Sequence, residues 1–295
     1  MAEISLGHIA TFGALAAAVV ALATPSRAAA WALFVLAIVL GLAAGVLSVP
    51  ALVPLLALIA AVYAVERWPG IVGARRKTLL IRISAGVVTV ILVLALALHV
   101  LPGFANPRLL SQVVFSPGAA PYTLYLNFDK TAAGVVLLAF GTTALASRAA
   151  WAQMGRGMAP YALAAVVIVV GLAWASRYIA FVPKLTPWFV PWALVNLLFV
   201  CMAEEAFFRN FLQRQLARVI GGARGGIIAL GITAPLFGIA HAGGGPVLVA
   251  LATVAGLGYG YVYLRTGRVE ASILTHFAVN AVHFLLFTYP YAVTV

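Results

Sequence analysis

The stretch FVPWALVNLLFVCMAEEAFFRNFL, Phe189 to Leu212, decides how the rest of this chain is read. It is almost entirely apolar and exceeds the roughly 20 residues a helix needs to cross the hydrocarbon core of a bilayer. Yet it carries Glu204 and Glu205 side by side, with Arg209 close behind, in a chain that has only six acidic residues. Charge at membrane depth is costly, so an acid found there marks a working site by default.

The surrounding composition agrees. Of 295 residues, 65% are hydrophobic and 8% charged, and the mean hydropathy is +1.12. A soluble domain is typically about 45–50% apolar and about 25% charged, so the chain is an integral membrane protein. Apolar runs at 7–23, 29–49, 51–66, 79–101, 130–147, 161–182, 189–213, 225–241, 246–264 and 270–289 predict an all-α, polytopic transmembrane helical bundle of eight to ten spans. Met1 to Ala23 lacks a positively charged leader and is expected to be the first span. Gly256 and Gly260 form a GxxxG pair that suits close helix packing. Cys201 is the only cysteine, which excludes an intrachain disulfide and a multi-cysteine metal site.

The net charge of +12 does not indicate nucleic acid, because no basic run is interleaved with aromatics. It is distributed as the positive-inside rule requires. With ten spans, one set of alternating loops and helix ends holds 14 Lys/Arg residues and the other holds Arg108, Lys130, Arg177 and Lys184. Both termini are therefore expected on the non-cytoplasmic side, and the Arg- and Ala-rich composition suggests a bacterial inner (cytoplasmic) membrane. Nearly all polar residues at membrane depth fall in the second half. Residues 1–150 are accordingly expected to be accessory helices and 151–295 a catalytic core.

On a helix, successive side chains are about 100° apart, so Glu204 and Glu205 cannot face one groove together. Glu205 and Arg209 are spaced i, i+4 and share a face suited to an ion pair. That leaves Glu204 expected without a counter-charge. A hairpin of two straight helices brings His241, at the end of the next apolar run, to a similar depth. His276 and Asn280, again i, i+4, lie on one face of the last run. Measured from Glu270, His276 is about 9 Å inside the membrane, which places the expected polar layer near the arginine-rich, cytoplasmic face. His8, His99 and His283 are expected to be packing residues.

In order, Glu204-Glu205-Ala206-Phe207-Phe208-Arg209 is an EExxxR motif, Phe237 to His241 an FxxxH, and His276 to Asn280 an HxxxN. This ordered trio resembles the CPBP family of intramembrane proteases, which includes CAAX prenyl endopeptidases and the Abi-like bacteriocin-processing and immunity proteins. The resemblance covers about residues 189–285. It implies that Glu204 is the general base, that Glu205 and Arg209 support its helix, that His241 positions water, and that His276 and Asn280 bind the oxyanion.

The chemistry of amide hydrolysis needs the same parts: a base for water, and donors aimed where negative charge develops. The expected function is an intramembrane endopeptidase acting on a membrane-associated or lipid-modified peptide or protein near the cytoplasmic face. No cofactor is expected. The competing arrangement is zinc held by Glu204, His241 and His276, which lacks an HExxH spacing and would occupy the base. Two other classes compete with the enzyme: a proton-coupled transporter, whose polar residues would run through both membrane halves, and a non-catalytic immunity or scaffold protein.

Overall fold

The computed structural model describes residues 4–67, 75–142, 145 and 147–293. The two chain ends, on which the expectation about the termini falls, lie outside these residues, as do parts of the predicted run 130–147. The helices are α1 Leu6–Leu22, α2 Arg27–Ala43, α3 Leu52–Arg67, α4 Arg75–Ala97, α5 Phe128–Gly141 and α6 Arg148–Ala175. The long helix α7 is Phe189–Ile220, followed by α8 Gly225–Ile239, α9 Gly245–Thr266 and α10 Val269–Leu286. Six of them are long and apolar enough to cross a membrane, and α1, α2 and α8 are shorter apolar helices. The fold is an all-α polytopic helical bundle. Its only sheet among the described residues is a two-stranded antiparallel pair, β1 Arg108–Val113 and β2 Tyr122–Tyr125.

Helix α6 starts well before the predicted run 161–182. Hydropathy marks the part of a helix that lies in lipid, whereas capping marks where it begins. The Ser147 hydroxyl accepts from the Ala150 amide at 3.1 Å and satisfies one of the orphan donors at the helix start. The polar first turns, with Arg148, Gln153 and Arg156, extend beyond the apolar stretch. Helix α7 overshoots similarly: its 32 residues span about 48 Å at 1.5 Å per residue, more than the bilayer core.

The bundle has two dissimilar faces. One holds the facing ends of the pairs α1/α2, α3/α4, α5/α6, α7/α8 and α9/α10, and with them most of the arginines. There Glu66 pairs with Arg214 at 2.6 Å and Arg218 at 3.5 Å, and Arg27 Nη2 donates to the Thr142 carbonyl at 2.6 Å. The opposite face is a layer of loops joined by backbone hydrogen bonds. Ala105 N–H donates to Val46 O at 2.9 Å, Ala120 to Tyr291 at 3.0 Å, Val182 to Leu286 at 2.9 Å and Ala292 to Tyr178 at 2.9 Å.

Between these faces α5 is the most enclosed helix, buried along Phe128–Asp129 and Thr131–Leu138. Apolar on every side, it belongs in the centre of a bundle. Its backbone comes close to that of α7 at Gly134, where a Cβ would stand 2.8 Å from both Ala203 Cα and Met202 Sδ. Only glycine admits the neighbouring backbone at that separation. A first half that supplies the central helix does more than brace the second, so the boundary at residue 150 does not isolate the working residues.

Candidate active site

Glu204 and Glu205 sit on a single α-helical turn, Met202–Glu205, between two π-helical stretches of α7, Asn196–Cys201 and Ala206–Gln213. Such widened turns are frequent at functional sites. The two carboxylates have different surroundings.

Glu205 is fully buried. Its Oε2 lies 3.1 Å from Arg209 Nε, and its Oε1 is 3.0 Å from His276 Nδ1. Arg209 donates from Nη2 to the Gly256 carbonyl at 3.0 Å, and its guanidinium covers the Phe237 ring at 4.7 Å. Gly256 allows this because its small size lets α9 lie against α8, where a Cβ would be 3.1 Å from Ala234 O. Tyr259, on the same helix, stacks on the His276 ring at 4.5 Å and 17°. The carboxylate beside Nδ1 assigns the proton to that nitrogen and fixes the ring's orientation.

Glu204 is not the unpaired acid expected from its own helix. Lys130, in the first turn of α5, places its Nζ 2.6 Å from Glu204 Oε1. The expectation failed because it counted only charges within helical reach, and this cation lies 74 residues away in sequence. The start of α5 is itself anchored. Asn106 Oδ1 accepts from the Phe128 amide at 2.8 Å, and Asp129 binds His99 Nδ1 at 2.7 Å and Asn106 Nδ2 at 3.0 Å. His99 is thus part of a polar cluster and not a simple packing residue.

His241 Nδ1 meets the Phe237 carbonyl at 2.8 Å, so this ring too has its tautomer set by an acceptor. Asn280 Nδ2 donates to Asn196 Oδ1 at 3.2 Å, which also accepts from the Cys201 thiol at 3.3 Å. Asn196 and Lys130 are the polar neighbours that sequence reasoning missed. An asparagine within an apolar run was a usable signal for the first; nothing local pointed to the second.

Glu204, His241, His276 and Asn280 all line one cavity of about 240 Å³, together with Asn196 and His283. A second cavity of about 270 Å³, walled by Leu94, Leu98 and Phe207, is also bordered by Lys130, Glu204 and His241. Glu204 and His241 therefore stand where the two spaces meet. The arrangement offers a carboxylate, two imidazoles oriented through Nδ1 and a carboxamide around a space large enough for water.

The position of that space differs from the expectation of a site near the arginine-rich face. The main cavity is lined by Tyr122, Tyr178, Ile179 and Tyr289, all from the loop face. The expected depth was measured along α10 and α7, each from its arginine-rich end. His276 is about 10 Å from that end, but Asn280 and His283 continue towards the other.

The donors suit zinc incompletely. An imidazole with Nδ1 engaged can ligate through Nε2. However, the carboxylate that would complete the set already faces an ammonium group. Among the described residues no group of three His, Cys, Asp or Glu side chains is arranged to hold a metal ion.

Comparison with curated proteins and with solved structures gave no match. The family model described as type II CAAX prenyl endopeptidase Rce1-like matches residues 186–282, a third of the chain that contains Glu204, His241, His276 and Asn280, and this match supports the CAAX-type intramembrane protease family.

Proposed function

We propose that this protein is a glutamate-type intramembrane endopeptidase that hydrolyses a peptide bond of a membrane-associated peptide or protein. The observation that carries the reading is the convergence of Glu204, His241, His276 and Asn280 on one cavity from three separate helical segments. In the proposed reaction Glu204 takes a proton from water as the water oxygen attacks the scissile carbonyl. His241 holds that water. The carbonyl oxygen becomes an oxyanion, and two donors bind it: the Nε2–H of His276 as an imidazolium, whose Nδ1–H is held by Glu205, and Asn280 Nδ2, which gives up its 3.6 Å contact with Cys201 Sγ. Collapse breaks the C–N bond as Glu204 returns its proton to the leaving amine.

Lys130 gives this scheme a part the motifs lack. Its ammonium holds Glu204 as a carboxylate, the form a base must have, and keeps charge at the site balanced while the proton moves. Glu205 is a positioning residue that orients His276. The transporter reading draws no support from a cavity lined on one side of the bundle only.

The test is cleavage of a membrane-anchored reporter peptide by purified protein in detergent. Glu204→Gln keeps the shape and removes the base, and general-base loss costs about 10²–10⁴-fold in rate. Full activity in that folded variant would remove the mechanism. Activity is expected to survive chelators; abolition by a chelator with recovery on adding zinc would replace it with a metal-dependent one.

A further inference from the structure

The side of the membrane from which this site is reached follows from two independent observations, one of charge and one of shape. Setting aside Arg209 and Lys130, whose charges are paired inside the bundle, the arginine-rich face carries thirteen Lys/Arg residues and the loop face three: Arg108, Arg177 and Lys184. An asymmetry of that size over short connections sets the arginine-rich face towards the cytoplasm. The catalytic cavity lies towards the other face. Its lining residues Tyr122, Tyr178 and Tyr289 belong to the loop layer, and Lys130 reaches Glu204 from the loop-face end of α5. On the arginine-rich face, the cavity beside Glu270 and the groove beside Glu66, Arg82 and Arg218 include none of the four site residues.

We infer that the site is worked from the extracytoplasmic side, and that its substrates are membrane-anchored polypeptides whose scissile segment has been exported. The substrate class rests on the protease reading; the side of access does not. A C-terminal tail prenylated in the cytoplasm would arrive at the face that holds no part of the cavity. An exported juxtamembrane segment would instead arrive at the loop layer and reach Glu204 with its anchor still in lipid. The apolar second cavity, bounded by Leu94, Leu98 and Phe207, suits the anchor-proximal residues of such a chain.

Three single-cysteine variants test this with a membrane-impermeant thiol reagent on bacterial spheroplasts. Each is built on Cys201→Ala, which removes the buried native thiol, so the introduced cysteine is the one that reacts before and after denaturation. Ser111→Cys, exposed on β1, reports the loop face, and Ala223→Cys, exposed between α7 and α8, reports the arginine-rich face. Val200→Cys reports the cavity itself. The expected result is at least about tenfold faster labelling of Ser111→Cys and Val200→Cys than of Ala223→Cys, a difference abolished by lysis; such a ratio corresponds to about 1.4 kcal/mol. Labelling of Ala223→Cys but not Ser111→Cys in intact spheroplasts overturns the inference. So does a Val200→Cys thiol reached only from the Ala223 side, or from neither side while remaining reactive after denaturation.

Mapping of new protein termini in cells with the wild type against Glu204→Gln then tests the substrate class. Termini dependent on Glu204 are expected in exported segments, and termini confined to cytoplasmic tails overturn that class. No Glu204-dependent terminus, with the labelling pattern as expected, would overturn the protease reading while leaving the side of access standing.

Discussion

Replacing Glu205 by glutamine is the perturbation whose size the geometry defines best. The carboxylate lies 3.1 Å from Arg209 Nε, with both side chains essentially unexposed. Unit charges at that spacing attract by about 5 kcal/mol at an effective dielectric near 20. Removing one member of a buried pair typically costs about 3–5 kcal/mol, because the other charge stays behind unpaired. Arg209 keeps its hydrogen bond to Gly256 and its place over Phe237, which offset part of this. The expected destabilisation is about 3 kcal/mol.

The glutamine oxygen can still accept from His276 Nδ1, so activity per folded molecule should fall by less than about tenfold, under 1.4 kcal/mol of barrier. Glu205→Ala loses that acceptor as well and should fall further. The double variant Glu205→Gln/Arg209→Met removes both charges and should recover at least half of the lost stability. Unfolding by detergent titration in mixed micelles, followed by circular dichroism, reads the first quantity; turnover normalised to folded protein reads the second. A Glu205→Gln variant within about 0.5 kcal/mol of wild type, the range of an ordinary surface change, would refute the reasoning. So would a double variant no more stable than the sum of the two singles.

Lys130→Met should reduce kcat/KM at pH 7 by about 10–100-fold, a loss in the range of acid–base effects, whereas Lys130→Arg should retain more than a tenth of the activity; wild-type turnover in Lys130→Met would remove Lys130 from the site. Gly134→Ala puts a methyl 2.8 Å from Ala203 Cα and should destabilise by about 1–3 kcal/mol, the cost of overpacking. Because Lys130 lies one turn earlier on α5, the same variant should also lower turnover, and a neutral effect on both would mean that α5 and α7 are not in close contact. Burial on the loop face holds the Lys184 ammonium down to about 8, below the roughly 10.4 of an exposed lysine. Between those values the unfolded chain binds more protons, so stability should rise as pH increases from about 8 to about 10.5. Thermal unfolding across that window should show the rise in wild type and lose it in Lys184→Met.

Much of this protein is written locally. Hydrophobic runs mark helices because each lipid-facing turn must be apolar within a few residues, so the helices among the described residues were legible as eight to ten expected spans, with errors at their ends. The i, i+4 contact between Glu205 and Arg209 follows from helix geometry alone, as does the divergence of Glu204 from Glu205. The charge asymmetry is likewise a property of composition along the chain, and needs no coordinates.

Three features were not local, and only the tertiary structure decided them. Lys130 meets Glu204 because Gly134 lets α5 lie against α7, and no pattern near either residue encodes that approach. Asn196 joins the site because Asn280, on a different helix, reaches its side chain. The cavity lies towards the loop face because Tyr122 and Tyr178, from two connections, and Tyr289, from the segment after α10, converge on it. Sequence spacing fixes the angle and depth of a side chain on its own helix, whereas which charge it meets, and from which side water arrives, depends on how distant helices pack.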